Sequence, residues 1–214
     1  MKYSNFIVLG MVVAMLAFVF VGCETDPGGG GTGTAYWMPE YTIGDSGPGG
    51  GKIFYIDQEG FTNTYDGSTC HYLEVAPSDS GSCTWITQGY DSVAANNIMA
   101  DIRDETGWDE EKVIGTGKKN TQIILSHDPT APAAYACVTL NTGGKNDWFL
   151  PSIYELEKLL LCRTAIGITG EPTYWSSSVY TFYESQYMDF AGSVGNYKTG
   201  DVDDLHHVRA VRAF

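Results

Sequence analysis

The chain has 214 residues, 43% of them hydrophobic and 18% charged, enough for one ordinary globular domain or at most two small ones. Twelve Lys and Arg against 26 Asp and Glu give a formal charge of −14, a balance that does not condense on phosphate backbones and so excludes nucleic acid as a general partner. Fourteen Tyr, nine Phe and five Trp exclude a disordered acidic tail.

Met1-Lys2 is followed by an uncharged apolar run from Phe6 to Val21. A bilayer core needs about 20 apolar residues, so the run is short for a permanent span and fits the apolar region of a secretion signal. It ends Val19-Phe20-Val21-Gly22-Cys23. A small residue directly before the first Cys resembles a bacterial lipobox, which implies a signal peptide over 1–22, cleavage before Cys23 and acylation of its thiol. The same stretch also fits an ordinary signal peptide or an uncleaved anchor. Residues 23–43 contain Gly28-Gly-Gly-Gly31-Thr32-Gly33-Thr34, a composition that cannot bury surface and serves as a flexible tether. A domain over 44–214 is expected beyond it. Contact with the membrane is expected through the N-terminal lipid only, where two or more acyl chains make the anchoring stable.

Four cysteines remain, Cys70, Cys83, Cys137 and Cys162. An even number in an exported chain invites disulfides, and four allow three pairings. Cys70 and Cys83 flank a Ser/Gly/Asp-rich loop, which favours a local bridge, with Cys137 and Cys162 as the second pair. The alternative keeps Cys137 and Cys162 as buried thiols, since both sit in apolar helical patterns. No Cys/His grouping has zinc spacing, and no metal or cofactor is expected.

Along the domain, Gly47-Pro48-Gly49-Gly50-Gly51 leads into a strand over residues 52–56, and a second strand over residues 71–75 ends at Pro77. Ala95, Ile98, Met99 and Ile102 fall at i, i+3, i+4, i+7, which predicts a helix with one buried stripe. A short helix carries Ile123 and Ile124. Another starts near Pro132, turns Ala134, Cys137 and Val138 inward and stops at Gly143-Gly144. Residues 147–151 are extended, and Ser152-x-x-Glu155 is a capping box opening a helix that buries Ile153, Leu156 and Leu160. After Gly170 the chain turns to Tyr, Ser, Gly and Asp in short β-like runs. Its last seven residues carry apolar side chains on both faces, as an interior strand does. Strands at both ends with helices between predict an α+β domain whose terminal strands meet in one sheet.

Five blocks now stand in order: Gly47-Pro-Gly-Gly-Gly-Lys-Ile-Phe-Tyr55, Leu73-Glu-Val-Ala-Pro77, Asp147-Trp-Phe-Leu-Pro-Ser152 with Glu155-Leu156, Tyr174-Trp-Ser-Ser-Ser178 and Val208-Arg-Ala-Val-Arg212. Together they resemble the C-terminal domain of bacterial collagen-like adhesins, the Lcl C-terminal domain family, over roughly residues 44–214. That family is similar to the C-type-lectin-like and formylglycine-generating-enzyme folds. The resemblance implies a secreted or lipid-anchored binding module on the bacterial cell envelope, expected at the outer-membrane surface, and not an enzyme. Most of the motif residues read as scaffold: Trp175 as core, and Arg209 and Arg212, on opposite faces of the last strand, as partners of buried carboxylates.

Several chemistries fail on spacing. The glycine run lacks the first Gly and the Ser/Thr of a phosphate loop, no Ser lies in a nucleophile elbow, and Asp201-Val-Asp203-Asp204 lacks calcium-loop spacing. The copper-binding cysteine pattern of formylglycine-generating enzymes is not evident.

Residues 174–198 hold eight aromatics in 25. Tyr beside Ser, Gly and Asn is the composition of antibody paratopes, where Tyr gives broad, rigid contact at low entropic cost. The expected face for an extracellular protein or carbohydrate ligand is Tyr180, Tyr183, Tyr187, Asp189, Asn196, Tyr197, His206 and His207. The competing reading packs the same rings into the sheet. Two other functions are open at this point: a structural envelope component whose Tyr-rich face packs against a partner subunit, and an enzyme of the formylglycine-generating type. The tail also resembles the variable segments of retroelement-diversified, lectin-fold surface lipoproteins.

Overall fold

In the computed structural model, residues 39–87, 93–110, 113–181, 184–192 and 197–214 are described. The apolar leader, Cys23 and the glycine tract lie outside them. Among the described residues the chain is α+β, with eight strands in two sheets and four helices. The first sheet is ordered β1-β2-β8, from β1 (Lys52–Thr62), β2 (Thr69–Val75) and β8 (Val211–Ala213). The N- and C-terminal strands thus share a sheet, with β2 antiparallel to both. The second sheet is ordered β3-β7-β4-β5-β6, from β3 (Ser82–Cys83), β4 (Thr173–Val179), β5 (Glu184–Asp189), β6 (Tyr197–Asp201) and β7 (His206–His207). The helices α1 (Val93–Glu110), α2 (Gly117–His127), α3 (Pro132–Val138) and α4 (Ile153–Leu161) lie between the sheets in sequence. No helix among the described residues is long and apolar enough to cross a membrane.

Two hydrophobic clusters form the core, and β4 contributes to both. Trp175 joins Trp85, the α1 stripe of Ala95, Ile98, Met99 and Ile102, and Cys137 of α3. Tyr174, one residue earlier, joins Leu73, Phe149 and Leu156 of α4 in the other cluster. Successive strand residues face opposite ways, so a strand buried on both faces reads as a continuous apolar or small run. Ser176, Ser177 and Ser178 fit it because serine is small, and two of the three bond locally: Ser176 Oγ donates to the Gln186 carbonyl at 2.7 Å, and Ser178 Oγ accepts the first amide of α4, Ile153 N, at 3.1 Å. The stretch before α4 alternates likewise, with Trp148 and Leu150 in one cluster and Phe149 in the other. The capping box is formed, Ser152 Oγ accepting from Glu155 N and a Glu155 oxygen accepting from Ser152 N.

The final strand is shorter than the apolar pattern of residues 208–214 suggests. The strand spans Val211–Ala213, and its pairing with β2 runs on through the mutual backbone hydrogen bonds of Phe214 and Tyr72, at 3.0 and 3.2 Å, while Val208 and Ala210 pack in the Trp175 cluster. Contact with the domain also begins before residue 44. Glu40 N donates to the Tyr72 hydroxyl at 2.6 Å, and the Tyr41 ring packs edge-on against Tyr72 at 5.3 Å.

One buried pair holds the sequence blocks together physically. The fully buried Glu74 carboxylate on β2 accepts from Gly49 N at 3.0 Å, Gly51 N at 2.7 Å and Arg212 Nη1 at 3.1 Å. Arg212 turns its other edge to Asp147, with Nε–Oδ1 at 2.8 Å and Nη2–Oδ2 at 2.9 Å. Burial pulls the Arg212 guanidinium downward, and the two carboxylates overcome it and hold its pKa above the ordinary value. A Cβ on Gly51 would sit 1.9 Å from the Val75 carbonyl oxygen, and one on Gly49 would strike Trp148 at 2.6 Å. Only glycine allows that approach.

Removing one member of a buried ion pair costs about 3–5 kcal/mol, since the remaining groups keep their desolvation penalty. Glu74→Gln should therefore lower stability by about that much in urea titrations. Asp147→Asn, at a side chain 37% exposed, should cost clearly less. Glu155 gives a pH signature. Its burial raises the carboxyl from 4.5 to about 7, against the backbone amides of Ser152, Gly115 and Gly117 that favour the ionised form. A pKa higher in the folded than in the unfolded chain means that the contribution is complete below pH 4.5 and is lost as pH rises through about 7. The stability difference between wild type and Glu155→Gln should shift against wild type across that window. A pH-independent difference would refute the assignment.

Candidate functional site

The C-terminal sheet presents two constellations, one on each face of β4 and β7. On the Trp175 face, Tyr187 of β5 stacks on His206 with ring centres 4.0 Å apart and planes at 22°. Trp175 meets the same imidazole edge-on at 4.4 Å. His206 Nδ1 lies 2.7 Å from Thr173 Oγ1, and burial holds its pKa below the ordinary histidine value, against the pull of Asp204. The imidazole is therefore a neutral ring within an aromatic stack at physiological pH. Lys198, which pairs with Tyr187 across the ladder, reaches Asp189 at 2.5 Å. That contact, with the Ala191 amide, keeps the Asp189 carboxyl below its usual range.

The opposite face carries a cleft of about 410 Å³, lined by Asp79, the 167–172 loop, Tyr174, His207 and Arg209. Arg209 Nη1 donates to Asp79 Oδ1 at 2.7 Å, while its Nε donates to the Ala76 carbonyl at 2.9 Å. The Tyr174 hydroxyl donates to the same Asp79 Oδ1 at 3.0 Å. Burial, reinforced by Asp79, pushes the Tyr174 phenol upward, so it remains a donor. His207 Nδ1 lies 3.7 Å from Asp79 Oδ2, and its ring meets Tyr174 edge-on at 6.0 Å.

The eight residues expected to form one ligand face are divided by this geometry. Tyr187, Asp189 and His206 come together. His207 faces the cleft on the other side, because neighbours on a strand point to opposite faces. Tyr197 pairs with Met188 and shares its face, where its hydroxyl donates to Glu157 of α4 at 2.9 Å and its ring rests on Tyr154. Tyr180, 49% exposed, stands at the β4–β5 turn. Tyr183 and Asn196 lie outside the described residues. Of the other tail aromatics, Tyr174, Trp175 and Phe190 are core. Arg212 pairs with the buried Glu74 as expected, whereas the partner of Arg209, Asp79, is only half-buried. Asp79 and the 167–172 loop were not read from the sequence, and the available signal was a lone Asp within a Ser/Gly loop. The Asp201–Asp204 segment is closed by its own hydrogen bond, Asp201 N to Asp204 Oδ2 at 3.1 Å.

The expected disulfides are corrected by the structure, in which Cys70, Cys83, Cys137 and Cys162 are all free thiols. Cys70 belongs to the cluster under the first sheet, whereas Cys83 packs against the Trp175 cluster, so their closeness in sequence does not bring them together. The same division separates Cys137 from Cys162. The Cys162 thiol donates to the Phe54 carbonyl at 3.2 Å. Burial raises all four thiols, Cys137 most strongly.

No family model matches the chain, and no curated protein is detectably similar to it.

Alkylation of the unfolded chain should modify every one of Cys70, Cys83, Cys137 and Cys162, with or without prior reduction. In the folded chain the half-buried Cys83 and Cys162 should react first and Cys137 last. Mass spectrometry showing groups added only after reduction would contradict the free-thiol state.

Proposed function

We propose that the protein is an exported lipoprotein, acylated at Cys23, whose C-type-lectin-like domain of the Lcl C-terminal type binds an extracellular protein or carbohydrate without catalysing a reaction. The observation that carries this reading is the division of labour in the domain. The motif residues Glu74, Asp147, Trp175, Ser176, Ser178 and Arg212 are spent on one another and on backbone. The groups left at the surface of the C-terminal sheet are aromatic and polar: Tyr180, Tyr187, Tyr197, His207 and their neighbours. Tyr serves such faces because it offers wide contact with few rotamers to freeze. A cysteine nucleophile is disfavoured, since burial pushes the thiols upward, the opposite of activation.

Two measurements test the proposal. An alkyne-bearing fatty acid fed to expressing cells should label the wild type and not Cys23→Ser, which should leave the membrane fraction. The purified full chain should bind printed glycans or immobilised extracellular-matrix proteins. Tyr180→Ala with Tyr197→Ala should weaken that binding about tenfold or more, with the circular dichroism spectrum retained. Unlabelled wild-type protein would refute the anchor. Binding indifferent to both tyrosines would refute their part in it.

A further inference from the structure

We infer that the cleft between the 167–172 loop and β7 is a saccharide subsite, in which Asp79 and Arg209 share a pair of adjacent hydroxyls on a neutral sugar. The inference rests on the reading of the domain as an extracellular binding module and specifies one ligand class and its site.

The argument begins with hydrogen-bonding capacity. A carboxylate only accepts and a guanidinium only donates, whereas a hydroxyl does both. Asp79 Oδ1 is already used twice, by Tyr174 and Arg209, and Arg209 has committed Nε and Nη1. What is left without a hydrogen bond is one acceptor, Asp79 Oδ2, with His207 Nδ1 3.7 Å away, and the Arg209 Nη2 group, both on residues that line the cleft. Two vicinal hydroxyls satisfy both at once: one donates to Oδ2 and its neighbour accepts from Nη2. Bonds to charged groups of this kind are the stronger class.

Charge decides against the alternatives. An anion approaching Arg209 meets Asp79 at 2.7 Å from the guanidinium and Glu171 on the wall, within a chain of net charge −14. A cation approaching Asp79 meets the same guanidinium. A neutral polyol meets no net repulsion from either. Ile168, Pro172 and the His207 ring, whose side chain is 45% exposed, offer surfaces for the C–H faces of a sugar ring. The volume of about 410 Å³ falls within the usual range for small-molecule sites.

The polar pair is also held in place before any ligand arrives. Asp79 is fixed from β4 through Tyr174 and from the chain preceding β8 through Arg209, whose side chain is only 11% exposed and is tied to the Ala76 carbonyl. Little freedom is left to lose on binding, which is how a shallow polar site gains affinity.

The test uses the full chain in detergent solution, with saturation-transfer NMR and calorimetry against D-glucose, D-galactose and D-mannose, their monodeoxy analogues, inorganic phosphate and lysine. At least one hexose should bind, and the analogue lacking either of the paired hydroxyls should bind about tenfold more weakly or worse. Asp79→Asn should abolish binding, and His207→Ala should weaken it. Arg209→Lys keeps the charge but loses the planar fork, and should weaken binding about tenfold. The last two variants keep the test decisive should Asp79→Asn fail to fold. Tyr135→Ala, at an exposed ring on α3, should leave hexose binding unchanged. Phosphate or lysine binding in place of every hexose would overturn the inference. So would hexose binding indifferent to Arg209→Lys and His207→Ala. Either result leaves the wider binding reading intact if printed ligands still bind through the tyrosines. That reading fails separately when nothing printed or immobilised binds.

Discussion

A buried carboxylate holds the chain ends to the middle of the fold. Glu74 lies on the central strand of the first sheet, and its oxygens accept from two glycine amides before β1 and from Arg212 in the last strand. Asp147 completes the pairing at the entrance to α4. A buried ion pair is not stabilising by default, because desolvation opposes the Coulomb attraction. Here the added bonds tip the balance, since the carboxylate also answers backbone donors that would otherwise be buried without partners. The glycines follow from the same constraint. Side chains at 47, 49 or 51 would occupy the volume taken by Glu74, Trp148 or the Val75 carbonyl.

A second carboxylate repeats the device at the other cluster. Glu155 completes the capping box of α4 through Ser152 N and also accepts Gly115 N at 2.9 Å, immediately before α2. One side chain thus answers orphan amides at the starts of two helices, where negative charge is favoured. It differs from Glu74 in having no arginine beside it, and burial accordingly lifts its pKa toward neutrality. Both carboxylates connect segments far apart in sequence to a glycine-containing turn, and both belong to the blocks that stand out in the sequence.

What could be read from the sequence was local and periodic. The α1 stripe of Ala95, Ile98, Met99 and Ile102 and the capping box of α4 emerge because a helix writes its buried face and its start into neighbouring positions. Arg209 and Arg212 could be expected to meet carboxylates, but Asp79 could not be named as a partner 130 residues away. The cysteines failed for a related reason: only twelve residues lie between Cys70 and Cys83, yet the chain between them passes from one sheet to the other. The tail aromatics were legible in number but not in direction. Tyr174 and Trp175 both enter the core because β4 is interior to its sheet and covered on both faces. His206 and His207, adjacent in sequence, look in opposite directions for the same geometric reason.

That last pair shows how the two faces depend on each other. The strand β7 has two residues, joined to β3 at both and to β4 only at Tyr174–His207. So short a ladder fixes little by itself, and side-chain contacts supply the rest. His206 is placed by Thr173 and by the rings of Trp175 and Tyr187, and the backbone that follows carries His207 toward Asp79. The cleft wall on one face therefore owes its position partly to an aromatic stack on the other. Changes in the size of the side chain at 187 act on both, through the intervening strand rather than through any shared contact.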